Sequence, residues 1–346
     1  MQNIYSAIQA IVPEMTDAFA LRVTILRTLS KNHQRIGRKG LAKQVYITER
    51  KLRTVIDTMK RQGLVNVNHL GITITDYGIN ILQRIDETEL NQEQYFEQRE
   101  ALKRVLNVDY CWIVPGDATN DDGVYRLMGV AVNEILNERL DRHEATIAVT
   151  GGSTLAKIAG SLDQSLTKQR KLSFVPARGG FGGAIDIQSN TVGAMMAQQT
   201  QGIYHPLFIP ESLEEETSKV LMQEPMISRV IEMSRQADCL LLSIGSADVM
   251  ADRRNITPEQ LSEVKKGEAV GEAFGVFFNK DGEVVTRLPR VGIQLEDLDD
   301  IPLLLTIVGG AEKAEAVKAF FKLVPNHGWL ICDEGLANKV LNGETL

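Results

Sequence analysis

Four glycine-rich stretches carry the residue types that can hold an anion. They are Thr150-Gly151-Gly152-Ser153-Thr154, Arg178-Gly179-Gly180-Phe181-Gly182-Gly183, Gly245-Ser246-Ala247-Asp248 and Gly309-Gly310-Ala311-Glu312-Lys313. In the first, the glycines let a backbone with free N–H groups approach a ligand, and the hydroxyls of Ser153 and Thr154 add donors at a helix start. A tight strand-to-helix turn with a Ser/Thr cap accounts for the same five residues. The stretch is not a Walker A loop, because no Lys follows the second glycine at the required spacing. It also lacks the spaced glycines of a dinucleotide fingerprint. Arg178 and Lys313 would set positive charge beside these hydroxyls and N–H groups, as a phosphate site needs. Arg253 and Arg254 follow a further strand.

Enzymatic work on a sugar phosphate would need a positioned acid/base pair, usually a carboxylate with His. The histidines are His33, His69, His143, His205 and His327, and none falls in a glycine turn. Asp248 is the best carboxylate, although capping a turn explains it too. Cys111, Cys239 and Cys332 lie far apart, each in an apolar run. Buried free thiols in a reducing cytoplasm are therefore expected, with no metal site and no cofactor. The N-terminus lacks a signal-peptide pattern, and no apolar run approaches the roughly 20 residues of a membrane span.

The elements that must position these turns are legible as an alternation. Buried runs at Cys111–Val114, Thr146–Val149, Leu172–Val175, Cys239–Leu242, Val276–Phe278, Leu303–Val308 and Trp329–Cys332 read as strands. Between them, Val124–Leu140, Ile187–Gln199, Glu224–Gln236 and Ala311–Leu323 read as helices. Such alternation predicts an α/β fold with a doubly wound, mostly parallel sheet, whose ligands sit at the carboxyl ends of the strands. Four glycine turns after four strands would then converge on one place.

A different module precedes this sheet. The net charge is −7, yet Lys31 to Gln62 holds ten Lys or Arg against two acidic residues, a local +8. The rest carries 28 basic and 43 acidic residues, or −15. A basic module on an acidic body points to a polyanion partner for the module alone. Helices are expected over Asp17–Lys31, Arg38–Val45 and Glu49–Arg61, the last capped by Thr48 and closed by Gly63. A hairpin follows, Leu64–Val67 and Ile72–Thr75, turning at Asn68-His69-Leu70-Gly71. This is the order of a winged helix-turn-helix, and it places Arg50 and Arg53 where base edges of duplex DNA are read. Arg38 and Lys39 would meet phosphates, and Thr48, Glu49 and Lys51 share the exposed start of the same helix. Residues 1–86 are thus read as a DNA-binding domain, 87–107 as a connecting helix with a part in self-association, and 108–346 as the ligand domain. One winged helix reads few bases, so a dimer or tetramer on DNA is expected.

Several of these motifs resemble a known family. Ile36-Gly37-Arg38-Lys39-Gly40-Leu41-Ala42, Thr48-Glu49-Arg50-Lys51-Leu52-Arg53 and Gly71-Ile72-Thr73-Ile74-Thr75 resemble the N-terminal domain of regulators of central glycolytic genes. Those regulators belong to the SorC group of sugar-responsive repressors. Thr150–Thr154, Pro176-Ala177-Arg178-Gly179-Gly180, Ser243–Asp248 and Gly309–Ala316 are similar to their effector domain, whose fold is related to sugar-phosphate isomerases. The resemblance implies a repressor of a glycolytic operon responding to fructose-1,6-bisphosphate. It implies that Gly151, Gly152, Ser153, Thr154, Arg178 and Lys313 hold one phosphate, while Gln188, Arg253 and Glu272 face the sugar and the other phosphate. The alternative is a sugar-phosphate isomerase or deaminase with an accessory N-terminal domain. A protein-interaction scaffold would show no salt-dependent DNA binding at all.

Overall fold

The computed structural model describes residues 13–31, 35–68, 71–82, 95–179, 184–210, 217, 220–221, 223–254, 256–324 and 328–342. They divide into two compact units, split between Gln94 and Tyr95.

The first unit contains α1 (Pro13–Lys31), α2 (Arg38–Gln44), α3 (Glu49–Arg61) and the hairpin β1 (Val65–Asn68) and β2 (Gly71–Ile74). Residues 76–82 are helical again. Val23, Ile25, Leu26 and Leu29 of α1 pack with Leu41 of α2 and with Leu52, Ile56 and Met59 of α3. That core has the helical spacing the sequence shows. The hairpin is antiparallel, and Ile36 adds a third pairing, its N–H and carbonyl bonding Ile72 at 3.2 and 2.9 Å. His33, His69 and residues 1–12 lie outside the described residues.

The second unit opens with α4 (Phe96–Leu106), then β3 (Tyr110–Val114), α5 (Gly123–Arg139), β4 (Glu144–Val149) and the short α6 (Ser153–Ala159). It continues through β5 (Lys171–Pro176), α7 (Ser189–Thr200), β6 (Ile203–Tyr204), α8 (Pro225–Arg235) and β7 (Cys239–Leu242). Next come β8 (Gly245–Ser246), α9 (Ala247–Arg254), α10 (Pro258–Lys266), β9 (Ala269–Ala273), β10 (Val276–Asn279) and β11 (Val284–Arg287). The chain closes with β12 (Leu303–Val308), α11 (Ala314–Leu323), β13 (Gly328–Asp333) and α12 (Glu334–Leu341).

Among the described residues seven strands form the main sheet, in the order β3-β13-β12-β7-β4-β5-β6, with every pairing parallel. Both faces are covered, which is why the strands read as continuous apolar runs. Leu240 and Leu242 join one core and Cys239 and Leu241 the other. From β4 the chain winds outward through β5 and β6, then returns to β7 and winds the other way through β12 and β13. The direction reverses between β4 and β7, and such a switch point leaves a crevice at the strands' carboxyl ends.

One sequence expectation changes here. Val276–Phe278 is not a strand of the parallel sheet. It is β10 of a separate antiparallel sheet, ordered β11-β10-β9-β8. The turn Phe274-Gly275 joins β9 to β10 with positive φ at both residues, 55° and 74°, the two-residue geometry that folds a strand back on its neighbour. The region 87–107 is expected as a connecting helix, and part of it is described. Its described part, α4, buries Ala101, Leu102 and Leu106 and belongs to the second unit, while 87–94 lies outside the described residues. The free thiols of Cys111, Cys239 and Cys332 are buried. No helix among the described residues is long and apolar enough to cross a membrane.

Candidate functional site

The switch point between β4 and β7 opens into a cavity of about 610 Å³. Its walls come from the turns after β4, β5, β7 and β12 and from the tip of the β9–β10 hairpin. Gly151, Gly152, Ser153, Thr154, Arg178, Gln188, Arg253, Glu272 and Lys313 all line it. The structure therefore brings together every residue singled out for the effector, from six separate parts of the chain.

The Thr150–Thr154 turn is held from behind. The Thr150 N–H donates to the Leu241 carbonyl at 3.0 Å, Gly151 N–H to the Ser189 hydroxyl at 3.2 Å, and Gly152 N–H to the Ile187 carbonyl at 2.8 Å. The two glycine N–H groups are thus spent on fixing the turn, contrary to the expectation that they would be free for an anion. What remains is the start of α6, where the N–H groups of Ser153, Thr154 and Leu155 have no acceptor among the described residues. Glycine is needed all the same. A Cβ on Gly151 would meet the Ile187 carbonyl oxygen at 2.3 Å, and Gly152 has φ of 117°. Ile187 closes a short 3-10 turn (Ile185–Ile187) and Gln188 caps α7, so the bond from Gly152 also sets Gln188 at the wall.

Charge concentrates in this cavity. Among the described residues Arg178, Arg253, Arg254, Arg290 and Lys313 line it, against the carboxylates of Glu272 and Glu312. Formally that is an excess of three positive charges, an arrangement that attracts an anionic ligand. Lys313 has its ammonium 2.7 Å from the Gly309 carbonyl and 3.9 Å from Glu312. Burial pulls its pKa below the usual lysine value, with Arg253 and Lys157 adding to the fall and Glu312 and Asp333 opposing it. Glu272 is 2% exposed and accepts two bonds from Arg254, at 3.1 and 3.2 Å, and one from the Gly275 N–H at 2.6 Å. Burial pushes its carboxyl up, yet Arg254, Arg290, the Gly275 N–H and Arg178 together hold it below the ordinary range. Arg253 therefore acts on Lys313, and Arg178 on Glu272. All five cations line the one cavity. Asp248 and His143 are exposed and His205 is half-buried, and all three lie outside the lining. Residues 180–183 and His327 lie outside the described residues.

Three cavity residues carried no sharp motif. Arg254 was noted only beside Arg253, Arg290 sits in a loop after β11, and Tyr125 arrives from the first turns of α5. Behind the wall Asp333 is fully buried. An Asp between an apolar run and a helical one is an N-cap signal, and that signal could have located it.

In the first unit Arg50, Lys51 and Arg53 project from α3 and are exposed, as are Glu49, Arg38 and Lys39. Thr48 is the cap: its hydroxyl accepts the Lys51 N–H at 3.3 Å, so the start of α3 is defined by a side chain. The buried face of α3 leaves these charges no route except outward, where a duplex can meet them.

Comparison with known proteins gives the same two-part division. A family model described as "Putative sugar-binding domain" matches residues 91–342, and one described as "CggR N-terminal DNA binding domain" matches 19–88. The central glycolytic genes regulator of Bacillus subtilis is 36% identical over 99% of this chain and 100% of its own length. A SorC family transcriptional regulator from Enterococcus faecalis superposes with a TM-score of 0.68 at 39% identity, covering 71% of this chain and 99% of that one. The full-length sorbitol operon regulator SorC of Klebsiella pneumoniae has the same fold at 15% identity, with a TM-score of 0.64 over 88% of this chain and 94% of that one.

Proposed function

The chain belongs to the family of central glycolytic genes regulators, in the SorC group, and from that premise we propose that it represses glycolytic genes under the control of a sugar phosphate, fructose-1,6-bisphosphate. Members of this family are transcriptional regulators, not enzymes. The observation that carries the reading is the coupling in one chain of a helix-turn-helix unit with exposed Arg50 and Arg53 to a cavity with five cations against two carboxylates. A ligand with a phosphate at each end suits a cavity with five cations better than a monophosphate does. The start of α6 and Lys313 would hold one phosphate, with Ser153 and Thr154 adding hydroxyls. Arg178 and the Arg254–Glu272 pair would face the other end, Arg253 would guard the rim, and Gln188 would bond the sugar.

Operator recognition would use Arg50 and Arg53 on base edges, with Arg38, Lys39 and Lys51 on phosphates. Thr48 and Glu49 would set the helix start that aims them. A single unit reads too few bases to stand out in a genome, so the protein would bind paired half-sites as a dimer or tetramer. The test is fluorescence anisotropy on promoter duplexes of a glycolytic operon, with fructose-1,6-bisphosphate or fructose 6-phosphate added. Specific, salt-sensitive binding that the bisphosphate alters most is expected. Binding that ignores sequence, or that no sugar phosphate alters, would overturn the reading.

A further inference from the structure

Behind the cavity wall one carboxylate ties three strand ends together. Asp333 is fully buried, and its partners are backbone N–H groups. Its Oδ2 accepts from Ala118 at 2.7 Å and Gly310 at 2.8 Å, and its Oδ1 from Leu336 at 2.7 Å. Ala118 belongs to the loop after β3, Gly310 to the turn after β12, and Leu336 to the first turn of α12. Gly310 lies between Gly309, whose carbonyl accepts from the Lys313 ammonium, and Lys313 itself. Asp333 therefore fixes the turn that sets where Lys313 stands.

The next residue faces the other way. Burial and the neighbouring Glu334 carboxylate push the Tyr95 phenol up to about 12, and the same carboxylate accepts the Gly116 N–H at 3.4 Å. Tyr95 is 2% exposed, caps α4, and is the first residue of the second unit. The chain running back from it leads to the DNA-binding unit. A hydrogen bond joins the same two helices, from Gln98 Nε2 on α4 to Asn338 Oδ1 on α12 at 2.9 Å.

We propose that the consecutive carboxylates Asp333 and Glu334 couple the effector turn to the start of α4. Asp333 acts as a positioning residue for Lys313, and Glu334 passes its displacement to Tyr95. This rests on the effector reading above. An ammonium that leaves the Gly309 carbonyl for a ligand phosphate changes the Gly309–Gly310 turn. Asp333 cannot follow without redistributing three buried bonds, and leaving any of them unmade is costly. The shared backbone of residues 333–336 then carries the change into α12 and to Tyr95. The ammonium's two partners, carbonyl or phosphate, supply the two states that such coupling requires.

The test uses the full chain with operator duplex and fructose-1,6-bisphosphate. Calorimetry gives effector affinity without DNA, and anisotropy gives operator affinity with and without effector. Asp333→Asn turns an amide N–H toward a backbone N–H. It should weaken the bisphosphate by about tenfold or more, while operator affinity without effector stays at the wild-type value. Tyr95→Phe and Glu334→Gln touch no cavity residue. They should leave effector affinity within about twofold of wild type but shrink the effector's change in operator affinity toward none, a loss of coupling with no loss of binding. If Asp333→Asn does not fold, the two milder variants carry the test. Wild-type effector affinity in Asp333→Asn, or a full operator response in both Tyr95→Phe and Glu334→Gln, would overturn the proposal. A wild-type chain that ignores the bisphosphate would overturn the effector reading and this coupling together.

Discussion

Replacing Lys313 with Met tests the cavity's chemistry with little change of shape. Met keeps an unbranched stem and removes the ammonium. The Lys313 side chain is 17% exposed, and one of its three N–H groups is spent on the Gly309 carbonyl. On the proposed coupling the ammonium would exchange that partner for a ligand phosphate. A charge-assisted bond in such a site contributes about 1.5–3 kcal/mol, so losing one should weaken ligand by roughly ten- to 150-fold. The loss should fall on fructose-1,6-bisphosphate and fructose 6-phosphate alike, because on the proposed reading both would place a phosphate at the start of α6. Arg253→Ala is the control. Arg253 is exposed at the rim and solvent-screened, so it should cost about 0.2–1 kcal/mol, and for the bisphosphate mainly. Lys313 also carries a pH signature. Burial lowers its pKa and a bound phosphate favours its charged form, so wild-type affinity should fall on the alkaline side before an ordinary lysine would titrate. The Met variant should lose that limb of the profile. Isothermal titration across pH with both ligands measures all of this. An unchanged dissociation constant in Lys313→Met would refute the placement of the phosphate.

Other outcomes follow from the same geometry. Arg50→Ala or Arg53→Ala should cost about 1–3 kcal/mol of operator binding and relax preference at one base position per half-site, read by binding to a panel of altered duplexes. Uniform weakening across the panel would make that residue a phosphate contact. Thr48→Ala removes the acceptor for the Lys51 N–H and should destabilise the first unit by about 0.5–2 kcal/mol in a denaturant titration, with an unchanged second unit. Glu272→Gln breaks a buried pair whose members are 2% and 12% exposed, and it should destabilise the second unit by about 3–5 kcal/mol. Because the Glu272 carboxyl is held below its ordinary value, its contribution is present above the usual glutamate pKa of about 4.3 and is lost as pH falls through the lower folded value. Acid unfolding of Glu272→Gln should accordingly be less steep than that of wild type.

The sequence was most legible where one physical signal dominated. Cys239–Leu242 is buried on both faces, and its apolar run coincides with β7. Thr48 and Gly63 bracket α3 because caps are local chemistry. The convergence of the Thr150–Thr154, Arg178 and Lys313 turns was legible too, since a parallel sheet aligns its carboxyl ends. Val276–Phe278 misled because burial does not encode pairing partner. Its partner was decided by the Phe274-Gly275 turn, where a bulky residue takes a φ of 55°. The glycine N–H groups misled for a related reason, because their acceptors on Ile187 and Ser189 lie more than thirty residues away. Arg290 was silent in sequence, since a lone charge gains meaning only from what the fold packs around it, and Asp333 showed only as a helix cap.

The central claim is that one chain reads DNA and a sugar phosphate against each other. Its most direct test is calorimetric titration of fructose-1,6-bisphosphate into the full chain, free and bound to operator duplex. The account predicts two different affinities, and the same factor must appear when operator is titrated with and without the bisphosphate, because linkage is reciprocal. Equal affinity for the bisphosphate in the free and operator-bound protein would contradict the account.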